Sequence, residues 1–426
     1  MLVWFGQMIS LTGTGMTRFA IALWAWELTG SATALALVTF FAYLPALALS
    51  PIAGALADRW NRKLVMIMGD SAAGLATIVL LALRLLGLLQ IWHVYAAVAF
   101  AGAFEAFQYP AYRAAITLMV DKAHYGRTTA LMGLANNTSR ILAPIFAASL
   151  YVFIGLEGIL TIDIITFVFA VGTLLCIYVP APSQSVEGTE SRGHLLQEAS
   201  YGFRYIWQRK PLLGLQTFFF FSNILFAFVL VLVNPYILAR TGNDGLQLSM
   251  VNAALGIGAV IGGSVIAVCG GFKRQMRGIW IGWLAWSLLG AIGFGLSQSL
   301  LVWIALGVAG GFAQPLIDAS SQAIWQRKVP PDVQGKIFAA LRFSTQVPAL
   351  ASMLLAGLLA DNVFEPAMRA GGTLASPFGA ILGTEAGAGI ALMFVVAGVL
   401  EVLLVLTVMS IPAVRNVEEI VQDYDG

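Results

Sequence analysis

Gly54-Ala55-Leu56-Ala57-Asp58-Arg59-Trp60-Asn61-Arg62-Lys63 is a short charged interruption between two long apolar runs, and its reading decides the fold. One carboxylate and three basic groups so close together belong in water or among lipid headgroups, because charge inside hydrocarbon is expensive. The runs on either side are long enough to cross that hydrocarbon. The stretch therefore reads as a hinge between two membrane spans.

The rest of the chain has the same character. Its 426 residues are 59% hydrophobic and only 10% charged, with a mean hydropathy of +0.85, whereas soluble domains carry about 25% charged residues. A hydrocarbon core of ~30 Å takes about 20 apolar residues per helix, which leaves room for about a dozen spans. Long unbroken runs, rather than short alternating ones, argue against a transmembrane barrel. The fold class expected is an all-α integral membrane protein.

Apolar runs predict spans at about 2–28, 32–56, 64–86, 91–112, 128–153 and 159–179, then about 212–239, 246–269, 279–296, 300–323, 337–360 and 388–411. This gives an N-terminal half (1–180), a polar linker (181–210), a C-terminal half (211–411) and a tail (412–426). In the linker, Leu195, Leu196, Ala199, Phe203, Ile206 and Trp207 recur at helical spacing beside Arg204, Arg209 and Lys210, which predicts an amphipathic helix on the inner leaflet. The Gly- and Ala-rich stretch 361–387 predicts a mobile outer loop. The chain enters its first span without a basic leader or cleavage site, so that span is expected to stay as an uncleaved anchor.

Most basic residues outside the spans, from Arg59, Arg62 and Lys63 to Lys336 and Arg415, fall on one side; Arg84, Arg240 and Arg369 fall on the other. The positive-inside rule puts the first set and both termini in the cytoplasm, for a multi-pass protein of the inner (plasma) membrane. The net charge of +2 reflects this topology, and no nucleic-acid reading survives. Cys176 and Cys269 lie in apolar runs without metal or redox spacing and read as packing residues. His93, His124 and His194 are scattered, and no phosphate-binding loop occurs, so neither cofactor, metal nor catalytic residue is expected. The run Gly256 to Gly263 lies within a span and reads as a helix-packing face.

The halves echo each other. Pro110 followed by Val120-Asp-Lys-Ala-His-Tyr-Gly126-Arg127 is matched by Pro315 followed by Val329-Pro-Pro-Asp-Val-Gln-Gly335-Lys336, each between a half's fourth and fifth spans. Parallel repeats of this kind build one large class of secondary transporters.

Gly54-x-x-x-Asp58-Arg59-x-x-Arg62-Lys63 resembles the signature loop of the major facilitator superfamily, with Asn61 where that family usually has glycine. Thr17-Arg18-Phe19, Arg140-Ile-Leu-Ala-Pro144, Asp163-Ile-Ile-Thr166-Phe167 and the Val-x5-Gly-Arg/Lys loops are similar to the branch of macrolide efflux proteins and enterobactin exporters. The resemblance implies two six-helix halves around a central cavity. It also implies that Asp58 and Arg62, with Gly54, Arg59 and Lys63, form a cytoplasmic gate. The equivalent second-half loop, 262–277, keeps Lys273, Arg274 and Arg277 but has no acidic residue, so the gate is expected to be one-sided. Alanines replace the glycines of the family's antiporter motif around Arg140 and Pro144, which weakens any inference about direction.

Polar stripes mark the expected pathway. Gln7, Ser10, Thr14, Thr17 and Arg18 share an arc of roughly 100° on the first helix, which should line a cavity. The first and fourth spans of each half add Glu105, Gln108 and Tyr112; Gln216, Asn223 and Asn234; and Gln314, Asp318 and Gln322. Arg18 reads either as a ligand for an anionic group or as a fixed counter-ion. Glu105 and Asp318 are the candidate proton carriers. Arg140, Arg342, Asp70 and Asp163 are further intramembrane charges, with Asp70 a possible partner of the signature loop and Asp163 a possible helix cap. Phe218 to Phe221, Phe226 and Phe228 could wall a cavity or face lipid.

The expected function is secondary active transport by alternating access: proton-coupled antiport that exports amphiphilic small molecules, as a monomer among lipid. A metabolite or lysolipid facilitator of the same fold, or a non-transporting membrane receptor or membrane enzyme, are the alternatives.

Overall fold

The computed structural model describes residues 2–59, 61–119, 125–176, 202–269, 271–329 and 334–423. Side chains at 2–4, 50–59, 62, 109–111, 113–119, 125–137, 140, 334–336 and 339 are outside the description.

The described residues are almost wholly helical. The first six long helices are α1 (Leu2–Thr29), α2 (Ala32–Arg59), α3 (Arg62–Leu85), α4 (Ile91–Met119) and the stretch Tyr125–Leu175. That stretch breaks at Gly155 (φ 63°, ψ −170°) into α5 (125–154) and α6 (156–175). Only a residue without a Cβ enters that conformation cheaply, which is why one glycine suffices to turn the chain between two spans. The next six are α7 (Lys210–Thr241), α8 (Gly245–Cys269), α9 (275–296, with a π-helical middle at Trp286–Gly293), α10 (Leu300–Lys328), α11 (334–368) and α12 (Ala388–Met409). Among the described residues nine stretches are long and apolar enough to cross a membrane, one of which, 141–175, includes both sides of the Gly155 break.

The chain forms two compact units, Met1–Thr189 with Asn243–Ala253, and Glu190–Gly242 with Ala254–Gly426. In the first unit α1 packs close to α5 and α6: a Cβ at Gly6 would strike Thr173, and one at Gly15 would strike Ala143. A Cβ at Gly102 of α4 would enter the carbonyl of Ala42 in α2. The second unit repeats the device in its own second and fourth helices. There Cβ atoms at Gly258 and Gly262 of α8 would meet the carbonyls of Val308 and Phe312 in α10. Between membrane helices such backbone contact supplies the dispersion that hydrophobicity cannot, and the glycine run of α8 is the packing face expected of it.

Two expectations change, and a third is only partly seen. The stretch 361–387 is built rather than loose: α11 continues to Met368, a short helix covers Ala375–Leu382, and the Glu365 carboxylate accepts hydrogen bonds from Gly387 N (3.2 Å) and Ile390 N (3.0 Å) at the start of α12. Cys176 and Cys269 are exposed rather than packed, since they stand where α6 and α8 run out. The linker's amphipathic stretch falls largely outside the described residues. Where it is seen, at 202–207, Tyr205 and Ile206 are buried within the second unit while Phe203 and Trp207 are exposed.

Candidate functional site

The signature stretch straddles the turn from α2 to α3. Asn61 occupies the N-cap of α3, and its Oδ1 accepts from Lys63 N (3.0 Å) and Leu64 N (3.4 Å). Asparagine is among the best residues for satisfying the free N–H groups of a helix start, which accounts for its place there. Lys63 Nζ donates to the carbonyl of Leu175 (3.1 Å), the last residue of α6, where a cation meets the negative end of the helix dipole. The side chains of Gly54, Asp58, Arg59, Arg62 and Arg140 lie outside the described residues.

The polar face of α1 divides. Gln7 is buried and donates through Nε2 to Asp70 Oδ2 (2.9 Å); Gln108 of α4 donates to the other oxygen, Oδ1 (2.5 Å). Asp163 of α6 is bound in the same way by Thr14 (3.2 Å) and by Thr77 of α3 (2.9 Å). Ser10 and Thr17 are buried too. Most of the stripe expected to line a cavity thus faces neighbouring helices, because two carboxylates buried in the unit need those donors. Asp70 serves as a junction of α1, α3 and α4, and Asp163 as a junction of α1, α3 and α6. Pro144 stands within α5 beside the buried Ala143, which meets α1 at Gly15.

Arg18 is the exception on α1. Its Nη2 lies 2.6 Å from Glu105 Oε2 of α4, and both side chains are about half accessible, 56% and 52%. Each stands near the middle of its helix. A charge pair at that depth with open sides requires water around it, since lipid would leave it unsolvated.

In the second unit Asp318 of α10 is exposed and is held by its own helix through Gln314 Nε2 (3.2 and 3.3 Å to its two oxygens). The other end of that amide, Gln314 Oε1, is buried without a partner among the described residues. Arg342 of α11 is exposed, with Nε 3.3 Å from Gln346 Oε1. Asn223 turns its amide back to the Phe219 carbonyl (2.7 Å), and Gln216 donates to Ser344 Oγ (2.6 Å). Phe218 and Phe219 are buried among Trp280 and Trp283 of α9, so these two are core and not cavity wall; Phe221 is exposed. Among the described residues no group of His, Cys, Asp and Glu could hold a metal ion.

Sequence reasoning passed over one residue. Glu401 of α12 is completely buried and accepts from Ser222 Oγ of α7 at 2.7 Å. A carboxylate in the middle of a run as apolar as 388–409 was the available signal.

The family model for the Major Facilitator Superfamily matches residues 3–278. Macrolide efflux protein A of Streptococcus pyogenes is 25% identical over 366 residues, covering 85% of this chain and 89% of that protein. The protein of the same description from Enterococcus faecalis is 25% identical over 315 residues, 73% of this chain and 95% of the other. Among solved structures, a bacterial homologue of the human lysosomal transporter Spinster superposes with a TM-score of 0.71 at 14% identity, covering 97% of this chain and 96% of that one. The nucleoside transporter NupG gives 0.64 at 13% identity, with 95% and 98% covered.

Proposed function

The chain belongs to the Major Facilitator Superfamily, and on that premise we propose that it is a proton-coupled antiporter that exports amphiphilic, macrolide-like compounds by alternating access. It does so as a multi-pass monomer of the inner (plasma) membrane, with both termini in the cytoplasm. Export is supported by the likeness to the macrolide efflux proteins, which covers most of both chains.

The observation that carries the coupling is the Arg18–Glu105 pair. A carboxylate in the middle of a span that keeps an open side can exchange a proton with water, and an adjacent guanidinium stays charged through that exchange. Protonation of Glu105 then releases Arg18 for an anionic or strongly polar substrate group, so that proton and cargo compete for the same pair. Asp318, accessible near the middle of α10, offers the second unit a site of similar chemistry. Asp58 and Arg62 serve as the cytoplasmic gate, so Asp58→Asn slows cycling while substrate binding stays near normal.

Proteoliposomes test the reading. An imposed proton gradient should drive a macrolide inward against its concentration in the everted fraction, and Glu105→Gln should abolish that accumulation. Equilibration that ignores the gradient would make the chain a facilitator instead.

A further inference from the structure

Glu401 and Ser222 form a sealed polar pair in the second unit. Both residues are 0% exposed. Ser222 Oγ donates to Glu401 Oε1 at 2.7 Å, whereas Oε2 is buried and has no hydrogen-bond partner among the described residues. The surroundings are tightly packed and largely aromatic. Phe218 and Phe226, on the same helix as Ser222, meet the rings of Trp283 and Trp286 on α9. On the α12 side, Gly398 is pressed against Ala291 and the Ser287 carbonyl of the π-helical turn.

Charged and titratable groups on the elements packed against α12 are engaged elsewhere, exposed, or far along the chain from Glu401. On α7, Lys210 lies twelve residues before Ser222 and Arg240 eighteen after, which is about 18 and 27 Å along a helix. Arg240 donates to the Leu382 carbonyl, and Tyr236 to those of Phe294 and Ser297. Arg277 of α9 is exposed. At the end of α11, Glu365 caps Gly387 and Ile390, eleven or more residues from Glu401, while Asp361 and Arg369 flank it. Arg415 lies beyond the end of α12 and is exposed. Among the described residues, Glu401 has one hydroxyl donor and no cation at hydrogen-bond distance.

An ionised carboxylate sealed from bulk solvent with one donor would cost far more than a neutral acid in such a place. We propose that Glu401 Oε2 is a proton-binding site of the second unit, occupied in this closed arrangement and released only when α7 and α12 part to admit water. In the occupied form Oε2 carries the proton and Oε1 accepts from Ser222. In the vacated form the proton has passed to that water, and the carboxylate needs further donors. Glu401 thus makes the α7–α12 contact sensitive to protonation, independently of whether Glu105 or Asp318 carries the transported proton.

Infrared difference spectroscopy on the full chain in lipid nanodiscs at neutral pH tests this without transport. Wild type minus Glu401→Gln should show the carbonyl stretch of a neutral carboxylic acid, and Ser222→Ala should move that band to higher frequency by removing its donor. Should Glu401→Gln fold poorly, the Ser222→Ala shift alone decides. A difference spectrum with a carboxylate stretch in place of the acid band, or no shift in Ser222→Ala, overturns the proposal. Because the readout is the acid itself, a failure of proton-driven export would leave it standing.

Discussion

Arg18 Nη2 and Glu105 Oε2 meet at 2.6 Å between the middles of α1 and α4, and each side chain keeps about half of its surface accessible. Buried pairs in the same unit look different: Asp70 and Asp163 are wrapped by amide and hydroxyl donors and closed off. Of the four groups, only the two of the open pair keep accessible surface. This divides the labour within the unit, with two carboxylates binding helices together and one left accessible beside Arg18.

Removing one member of the open pair should therefore harm both function and insertion. Arg18→Met leaves a lone carboxylate at mid-membrane, so expression is expected to fall, and adding Glu105→Gln should restore it, since the penalty belongs to the unpaired charge. Proton-driven accumulation should stay low in both, down on the order of tenfold or more, which corresponds to ~1.4 kcal/mol. Yield by fluorescence-detected chromatography and uptake into vesicles separate the two effects. Equal yields for the single and double variants would show that the pair is not needed for insertion.

The Asn61 cap gives a sharper stability test. Asn61→Ala removes the acceptor for Lys63 N and Leu64 N, and losing such a cap typically costs about 1 kcal/mol, against a few tenths for glycine. A lower melting temperature in detergent for Asn61→Ala, with Asn61→Gly near wild type, is the expected order. The reverse order would mean that the cap contributes nothing measurable.

Sequence and structure agree most closely where one-dimensional physics decides. Among the described residues hydropathy located the twelve long helices, and glycine and charge placed their breaks. Agreement fails where a residue's fate depends on a partner far along the chain. Gln7 and Thr14 look like cavity lining on a helical wheel, yet Asp70 and Asp163, more than sixty residues away, claim them. The same holds for 361–387, which is rich in glycine and alanine but ordered by Glu365 at the head of α12. Glu401 was passed over because burial of α12 is a property of the folded unit; the sequence shows only an acidic residue in an apolar run.

Backbone contact between α8 and α10 predicts a steric limit. Gly258→Ala would place a methyl group in the Val308 carbonyl, and Gly102→Ala would do the same at Ala42 in the other unit. Overpacking of this kind costs about 1–3 kcal/mol. Gly263→Ala, where a Cβ meets nothing within 4 Å, is the control and should be neutral. Thermal unfolding of the three purified variants checks the order, and equal melting temperatures would show that the helices can move apart freely.

The tail after α12 is docked by a single buried cation. Lys328 Nζ, at the end of α10, donates to the carbonyls of Glu418 (2.5 Å) and Val421 and pairs with Asp423 Oδ1 (2.6 Å), with 3% of its side chain exposed. The Glu418 carboxylate in turn accepts from Gln275 N and Met276 N at the start of α9, both at 3.0 Å. Lys328→Met leaves those carbonyls short of a donor, about 1–3 kcal/mol for an unsatisfied buried group, and should raise hydrogen exchange across 412–423. Asp423 adds a pH dependence. The hydrogen bond from Lys328, reinforced by the charges of Lys328 and Arg327, holds its carboxyl below the usual range. A depressed carboxyl stabilises the docked tail fully above the ordinary carboxylate pKa of about 3.9. That contribution is lost as pH falls through the lower value of the docked state. Exchange in the tail should accordingly stay slow down to about pH 4 and quicken only in stronger acid, whereas Asp423→Asn should give the same modest quickening at neutral pH. Tail exchange in Lys328→Met that matches wild type would show that the tail is held by Glu418 and its apolar contacts without the lysine.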